Sequence, residues 1–231
     1  MFTRAFWMAM GLVLPLTLHA HEHNTVFHAI TVDMGAGENR DNEAVANWDL
    51  DGWVGGDTHK LWLKSEGDVV DQAVEQSELW AMYSRNVDAF WDAQIGVRHD
   101  DMPSAMTYAV LGVTGLAPYH FETQAHVFVS ENGDVSFRLR EENDFLFTQQ
   151  LILQPYIELN AFAQDVHERE VGAGVSDIRA GLQLRYEITR KFAPYVQFEY
   201  SRLFGDTADI AQAHGDDRND SAITAGIKLL F

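Results

Sequence analysis

The chain has 231 residues, with 16 Lys and Arg against 35 Asp and Glu and a formal net charge of −19. That balance argues against nucleic acid as a partner, because phosphate binding needs clustered Lys and Arg, and it suits a surface that attracts cations. The chain has no cysteine, which excludes disulfides, thiolate metal centres and cysteine nucleophiles.

Residues 1–20 read as a secretory signal peptide. Arg4 supplies the positive flank, Ala5 to Leu18 form an apolar run short for a bilayer span, and Ala20 is a small residue at the cleavage position. Removing the leader takes away one cation, Arg4, and changes −19 to −20. The exported chain then begins His21-Glu22-His23-Asn24. A free amine, two deprotonated backbone amides and the His23 imidazole make a square-planar nitrogen set, a geometry that Cu(II) favours. His28 and Met34 follow, an imidazole and a thioether of the kind copper accepts. Residues 21–45 are expected to be a short His-containing segment with a first strand, and residues 46–231 a β-barrel.

The barrel expectation rests on alternation. Between Ile178 and Ile188 every even position is apolar, while Arg179, Gln183, Arg185 and Glu187 take odd positions. A strand sends these sets to opposite faces. About twelve such segments follow in order, near 25–33, 46–55, 59–66, 74–85, 88–99, 105–116, 119–130, 134–146, 149–163, 175–188, 192–204 and 219–231, an even count of the kind outer-membrane barrels have. The last ends at Phe231, with Ile223, Ala225, Ile227 and Leu229 on the same face.

Connections alternate in predicted length. Short ones are expected at 56–58, 86–87, 117–118, 148 and 189–191; mostly long ones at 34–45, 67–73, 100–104, 164–174 and 205–218, with 131–133 short. Short periplasmic turns and long outer loops are the pattern of an outer-membrane barrel, and an even strand count puts both ends in the periplasm. Aromatics such as Phe90, Trp91, Tyr119, Phe147, Phe192 and Phe204 cluster near segment ends, as interfacial girdles do. The expected fold is therefore all-β, a transmembrane antiparallel up-and-down barrel surrounded by outer-membrane lipid. The competing fold is a soluble β-sandwich or lipocalin-like barrel, in which the apolar face would point inward.

With apolar faces toward lipid, the lumen receives both signs of charge at similar depths, including Lys64, Glu66, Arg98, Arg138, Glu158 and Arg185, with His126 among them. Side chains of that length nearly fill a barrel of this size, so cross-strand ion-pair networks are expected rather than a wide water channel. A second soft-donor group, His99, Met102 and Met106 around Pro103, is expected in an outer loop.

Several strings resemble the copper resistance protein B family of outer-membrane proteins. They include Trp53-Val54-Gly55-Gly56-Asp57, Lys60 to Gly67, Phe90-Trp91-Asp92, Gly115 to Tyr119, Leu151 to Pro155, Leu184 to Ile188, Phe192 to Val196 and Gly205 to Ala208, spread over residues 45–231. The resemblance implies a barrel that helps a cell tolerate copper by binding it or exporting it from the periplasm, without enzymatic activity. Copper would be bound or transported cargo, and a periplasmic copper-handling protein a partner. Family members often carry a longer Met- and His-rich region before the barrel; here His21, His23, His28 and Met34 stand in its place. His126 is the lumen residue expected to join them. A small-solute channel and a lipid-modifying enzyme are the alternatives, the latter unsupported by any spacing of nucleophile and base.

Overall fold

The structure, a computed structural model, describes residues 26–231. The signal-peptide segment and the His21–His23 site lie outside the described residues. The strands run in chain order as β1 (Phe27–Asn39), β2 (Ala44–Gly55), β3 (His59–Val70), β4 (Ala73–Asp88), β5 (Trp91–Met102), β6 (Met106–Ala117), β7 (Phe121–Ser130), β8 (Val135–Glu142), β9 (Phe145–Leu146), β10 (Leu151–Phe162), β11 (Gly174–Tyr186), β12 (Phe192–Leu203) and β13 (Asn219–Leu230). One helix, α1 (Gly205–His214), lies between β12 and β13.

Each strand pairs antiparallel with its sequence neighbours, and β13 pairs with β1 from Leu230 opposite Thr31 to Ala222 opposite Asn39, which closes the sheet. β8 and β9 both pair with β10, so they are two pieces of one stave and the wall has twelve. The break has a local cause. Asn143 N–H donates to Pro155 O at 3.2 Å, but proline has no N–H to return, and the ladder is interrupted there.

The alternation works as the sequence predicts. Leu61 and Leu111 on the outer face are 60% and 62% exposed, whereas Glu78 and Asp100 on the inner face are 1% and 0% exposed. A water-soluble barrel would show the reverse, so this apolar outer band is the surface that meets hydrocarbon. Twelve-residue strands such as β2 and β3, at about 3.3 Å per residue and a tilt of about 45°, cross roughly 28 Å. No helix among the described residues is long and apolar enough to cross a membrane; the crossing elements are strands.

Both chain ends of the barrel meet at one rim, where Ile30 and Phe231 exchange backbone hydrogen bonds of 3.2 and 2.9 Å. Connections at this proximal rim are short. At the distal rim the predicted asymmetry is narrower than the sequence suggests. The expected loops 34–45 and 67–73 are tight hairpins, because β1 runs on to Asn39 and β3 to Val70. Asp71 and Gln72 both take positive φ, 45° and 70°, the conformation of a two-residue hairpin turn normally signalled by Asn-Gly. Length is concentrated in two distal connections, 163–173 and 204–218. They pack on each other: Gly172 N–H donates to the Thr207 hydroxyl of α1 at 3.0 Å.

Candidate functional site

The lumen wall carries a row of carboxylates that the strand register places side by side. Asp33 on β1 faces Asp49 on β2. Asp49 faces Glu66 on β3, Glu66 faces Glu78 on β4, and Glu78 faces Asp100 on β5. The row climbs from the middle of β1 to the distal end of β5. Like charges directly opposite one another are destabilising, so something positive must lie against them.

At the distal half that role falls to arginine. Arg98 grips Asp100 through two hydrogen bonds of 2.6 Å and lies 2.6 Å from Glu78. Arg138, on β8 across the lumen, donates to Glu78 at 2.9 Å, hydrogen-bonds Glu66, and lies 3.5 Å from Glu158. Arg169, from the 163–173 connection, reaches down to Asp100 and the Tyr108 hydroxyl, both at 2.5 Å. The guanidinium of Arg98 is also enclosed by aromatic faces, 4.8 Å from the Phe128 ring centre, 5.1 Å from Tyr108 and 5.4 Å from Trp80. Such desolvated cation–π contacts stabilise a buried charge. Trp80, Tyr108 and Phe128, with Met82, Met106 and Val110, form an apolar cluster inside the lumen. Distally, between β4 and β8, the barrel is filled.

The proximal half is open. A cavity of about 830 Å³ reaches in from the rim that carries the chain ends. Carboxylates outnumber cationic side chains on its wall twelve to eight. The lower members of the row face it with little compensation. Asp33 has Lys228 Nζ at 4.0 Å from Oδ2, and Asp49 has no ion pair among the described residues. Elsewhere on the wall Asp51 and Asp92 are tightly matched, by Lys64 Nζ and Lys60 Nζ at 2.5 Å each.

His126 lines this cavity from β7. Its Nε2 lies 2.8 Å from Gln94 Oε1, so the Gln94 amide engages one ring nitrogen and leaves Nδ1 as the other. The ring packs edge-on to Trp80, centres 5.3 Å apart. It lies against Gly112, its partner on β6, where a Cβ would come within 2.3 Å of the imidazole. Glycine at 112 is what lets the ring lie against the wall.

The structure does not gather the sequence-predicted donors. His28 and Met34 share the outer face of β1, about 20 Å apart along the strand, while His126 points inward. Met34 is thus on a strand facing lipid, not in a loop, since β1 outlasts its predicted end. The expected His99, Met102 and Met106 group is divided by the same parity: Met106 points into the lumen cluster, whereas His99 on β5 is exposed outside, with Nδ1 3.0 Å from the Thr107 hydroxyl. Among the described residues no three His, Asp or Glu side chains converge in metal-ligating geometry. Sequence reading missed the acid row. Asp49 and Asp51 alternate with Trp48, Leu50 and Val54, and Glu78 with Leu79 and Ala81, which marks them as inward; that they stand side by side is a matter of register.

The barrel architecture is shared with solved outer-membrane porins. It superposes on a structure described as a NanC porin in rhombohedral crystal form with a TM-score of 0.60 at 11% identity, covering 86% of this chain and 98% of that one. For a KdgM porin the TM-score is 0.55 at 11% identity, with the same coverage of 86% and 98%. At that identity the likeness concerns fold alone. Sequence comparison reaches further. The chain is 38% identical over 214 residues to copper resistance protein B of Escherichia coli, covering 92% of this chain and 72% of that protein. It is 39% identical over 192 residues to a copper resistance protein B homolog of Pseudomonas syringae pv. tomato (strain ATCC BAA-871 / DC3000), covering 83% of this chain and 65% of that one. The family described as copper resistance protein B precursor (CopB) matches residues 26–231, every residue the structure describes. With the barrel, its polar lumen and these matches together, the chain belongs to the copper resistance protein B family.

Proposed function

We propose that this protein supports copper resistance by binding copper ions and holding them, or passing them outward from the periplasm, at the lumen of an outer-membrane barrel, without catalysing a reaction. The proximal rim, with its short turns and both barrel ends, is the periplasmic side, and the two long connections face outward. The observation that carries the reading is the carboxylate row opening into a cavity whose wall also holds His126. A cleft with a net acidic lining and low-dielectric walls concentrates cations at its mouth. The imidazole then offers the nitrogen donor that copper prefers to oxygen.

Copper would first meet His21 and His23, with His28 at the proximal edge of β1, and be drawn from there toward Glu66 and His126. Delivery by a periplasmic copper-handling protein would occur at the same rim. Distally, Arg98, Arg138 and Arg169 are all paired and present no free positive charge, but with the aromatic cluster they narrow the barrel. That favours holding over free flow, since a cation pathway needs acidic or neutral donors along its whole length.

Isothermal titration of Cu(II) into the folded protein tests the capture step. Replacing His21 and His23 together by Ala is expected to weaken binding at least tenfold. Unchanged affinity would remove those residues from the mechanism.

A further inference from the structure

A chain of alternating charges leads from the cavity, through the filled half of the lumen, to the distal connection 163–173. Its members in order are Glu66, Arg138, Glu78, Arg98, Asp100 and Arg169. Arg138 hydrogen-bonds Glu66 at the cavity end. Glu78 Oε1 is shared, with Arg138 Nη2 at 2.9 Å and Arg98 Nη2 at 2.6 Å. Asp100 Oδ2 is shared in the same way, by Arg98 Nη2 at 2.6 Å and Arg169 Nη1 at 2.5 Å. The Glu66 side chain is 25% exposed and lines the cavity, whereas those of Glu78 and Asp100 are fully buried. Of the three carboxylates, Glu66 is therefore the one open to a cation arriving in the cavity.

Three carboxylates against three guanidinium groups leave the chain neutral. Glu158 stands at its side, 3.5 Å from Arg138, but is also 3.6 Å from Arg140. Charges held away from water are little screened, and a shared oxygen makes the two arginines on it compete. The links therefore respond in alternation. A cation on Glu66 weakens its hold on Arg138, which settles closer on Glu78. Glu78 then gives less to Arg98, Arg98 gives more to Asp100, and Asp100 gives less to Arg169. Five links are an odd number, so the first and the last loosen together. The last is also the one free to part. Arg98 and Arg138 are mounted on β5 and β8, but Arg169 on a connection. That connection has ties of its own: Val166 and Val171 exchange backbone hydrogen bonds of 2.8 and 3.2 Å, and Ala173 N–H donates to Asp165 Oδ1 at 2.8 Å. At the other end, His126 faces Arg138 in the β7–β8 register, which puts the imidazole beside the first link.

We propose that a copper ion taken up at Glu66 and His126 releases Arg169 from Asp100 and Tyr108, so that a filled cavity unlatches the outward end of the barrel and an empty one keeps it shut. This rests on the copper reading above and adds to it the step that turns holding into passage. Coupling between two sites needs an element with two arrangements that both sites bias. Here that element is the 163–173 connection, docked through Arg169 or undocked.

Hydrogen exchange of residues 163–173, read by mass spectrometry on the folded protein in detergent, tests this, with copper uptake measured on the same samples. Saturating Cu(II) is expected to speed exchange there about fivefold or more in the wild type, the low end of what coupled sites show. Glu66→Gln removes the charge that a bound cation would neutralise. It is expected to exchange at that faster rate without metal, and copper is expected to add nothing more. Asp92→Asn breaks a cavity ion pair that is not part of the chain, with Lys60 at 2.5 Å, and is expected to exchange as slowly as the wild type. Heat-dependent gel migration reports whether each variant is folded, and the wild-type copper comparison decides alone if Glu66→Gln does not fold. Copper bound by the wild type with exchange in 163–173 unchanged overturns the proposal. So does slow exchange in folded Glu66→Gln, or equally fast exchange in Asp92→Asn. No copper uptake by the wild type would sink the copper reading, and fast exchange in metal-free Glu66→Gln would then still uphold the coupling of cavity to connection.

Discussion

His126 is the residue on which sequence and structure agree most closely. Alternation with Ala125 and Val127 marks it as inward-facing, and it lines the cavity with its ring set between Trp80 and Gly112. His126→Ala is expected to lower copper affinity roughly tenfold, about 1.4 kcal/mol, and to reduce copper tolerance of cells while the barrel stays folded; wild-type tolerance would refute its role. Gly112→Val is expected to give the same loss with the imidazole still present, because the new side chain takes the space the ring occupies. Glu78 is a different case. Arg98 and Arg138 both depend on it, and removing one partner of a buried ion pair costs about 3–5 kcal/mol. Both arginines keep other carboxylates, so Glu78→Gln should lose roughly 3 kcal/mol in urea unfolding; a change below about 0.5 kcal/mol would mean that the network contributes no more than exposed pairs do. Parity alone shows that Asp49 and Glu78 face inward. Their adjacency to Asp33, Glu66 and Asp100 depends on how each strand is offset from the next, and that offset follows from hairpin geometry.

Among the elements, the strands were the legible part and the connections were not. Turn residues mislead here: Asp71-Gln72 forms a two-residue hairpin without the usual Asn-Gly signal, and the break between β8 and β9 is set by Pro155 on the neighbouring strand. The helix α1 is not legible in the sequence, because its ten residues have no side-chain N-cap and only Thr207 and Ala208 are buried, too little apolar periodicity to stand out. The 163–173 connection has the clearest mechanical role. Through Arg169 it stitches Asp100 to Tyr108 over the filled half of the lumen. Arg169→Ala is expected to raise ion conductance several-fold in planar bilayers; unchanged conductance would show that this connection does not restrict the pore.

For the whole molecule, one inversion organises everything else: leucines outside, carboxylates and arginines inside. An Arg substituted at Leu111, near the middle of the outer band, should cost about 2–4 kcal/mol in a bilayer, whereas a soluble barrel would accept it with little change. Part of the acidic excess then has a location, since twelve carboxylates against eight cationic side chains line the proximal cavity. Within the barrel the sequence points to copper only through family resemblance, because no run of donors there announces a metal site and the candidate ligands come from separate strands; the His21-Glu22-His23 end alone suggests Cu(II) by its own chemistry. The most direct test is the copper retained per folded chain, measured by inductively coupled plasma mass spectrometry in a background lacking His21 and His23. Copper retained in that background and reduced when His126→Ala is added is the predicted result. Copper absent from the background, or undiminished by His126→Ala, would contradict binding within the barrel.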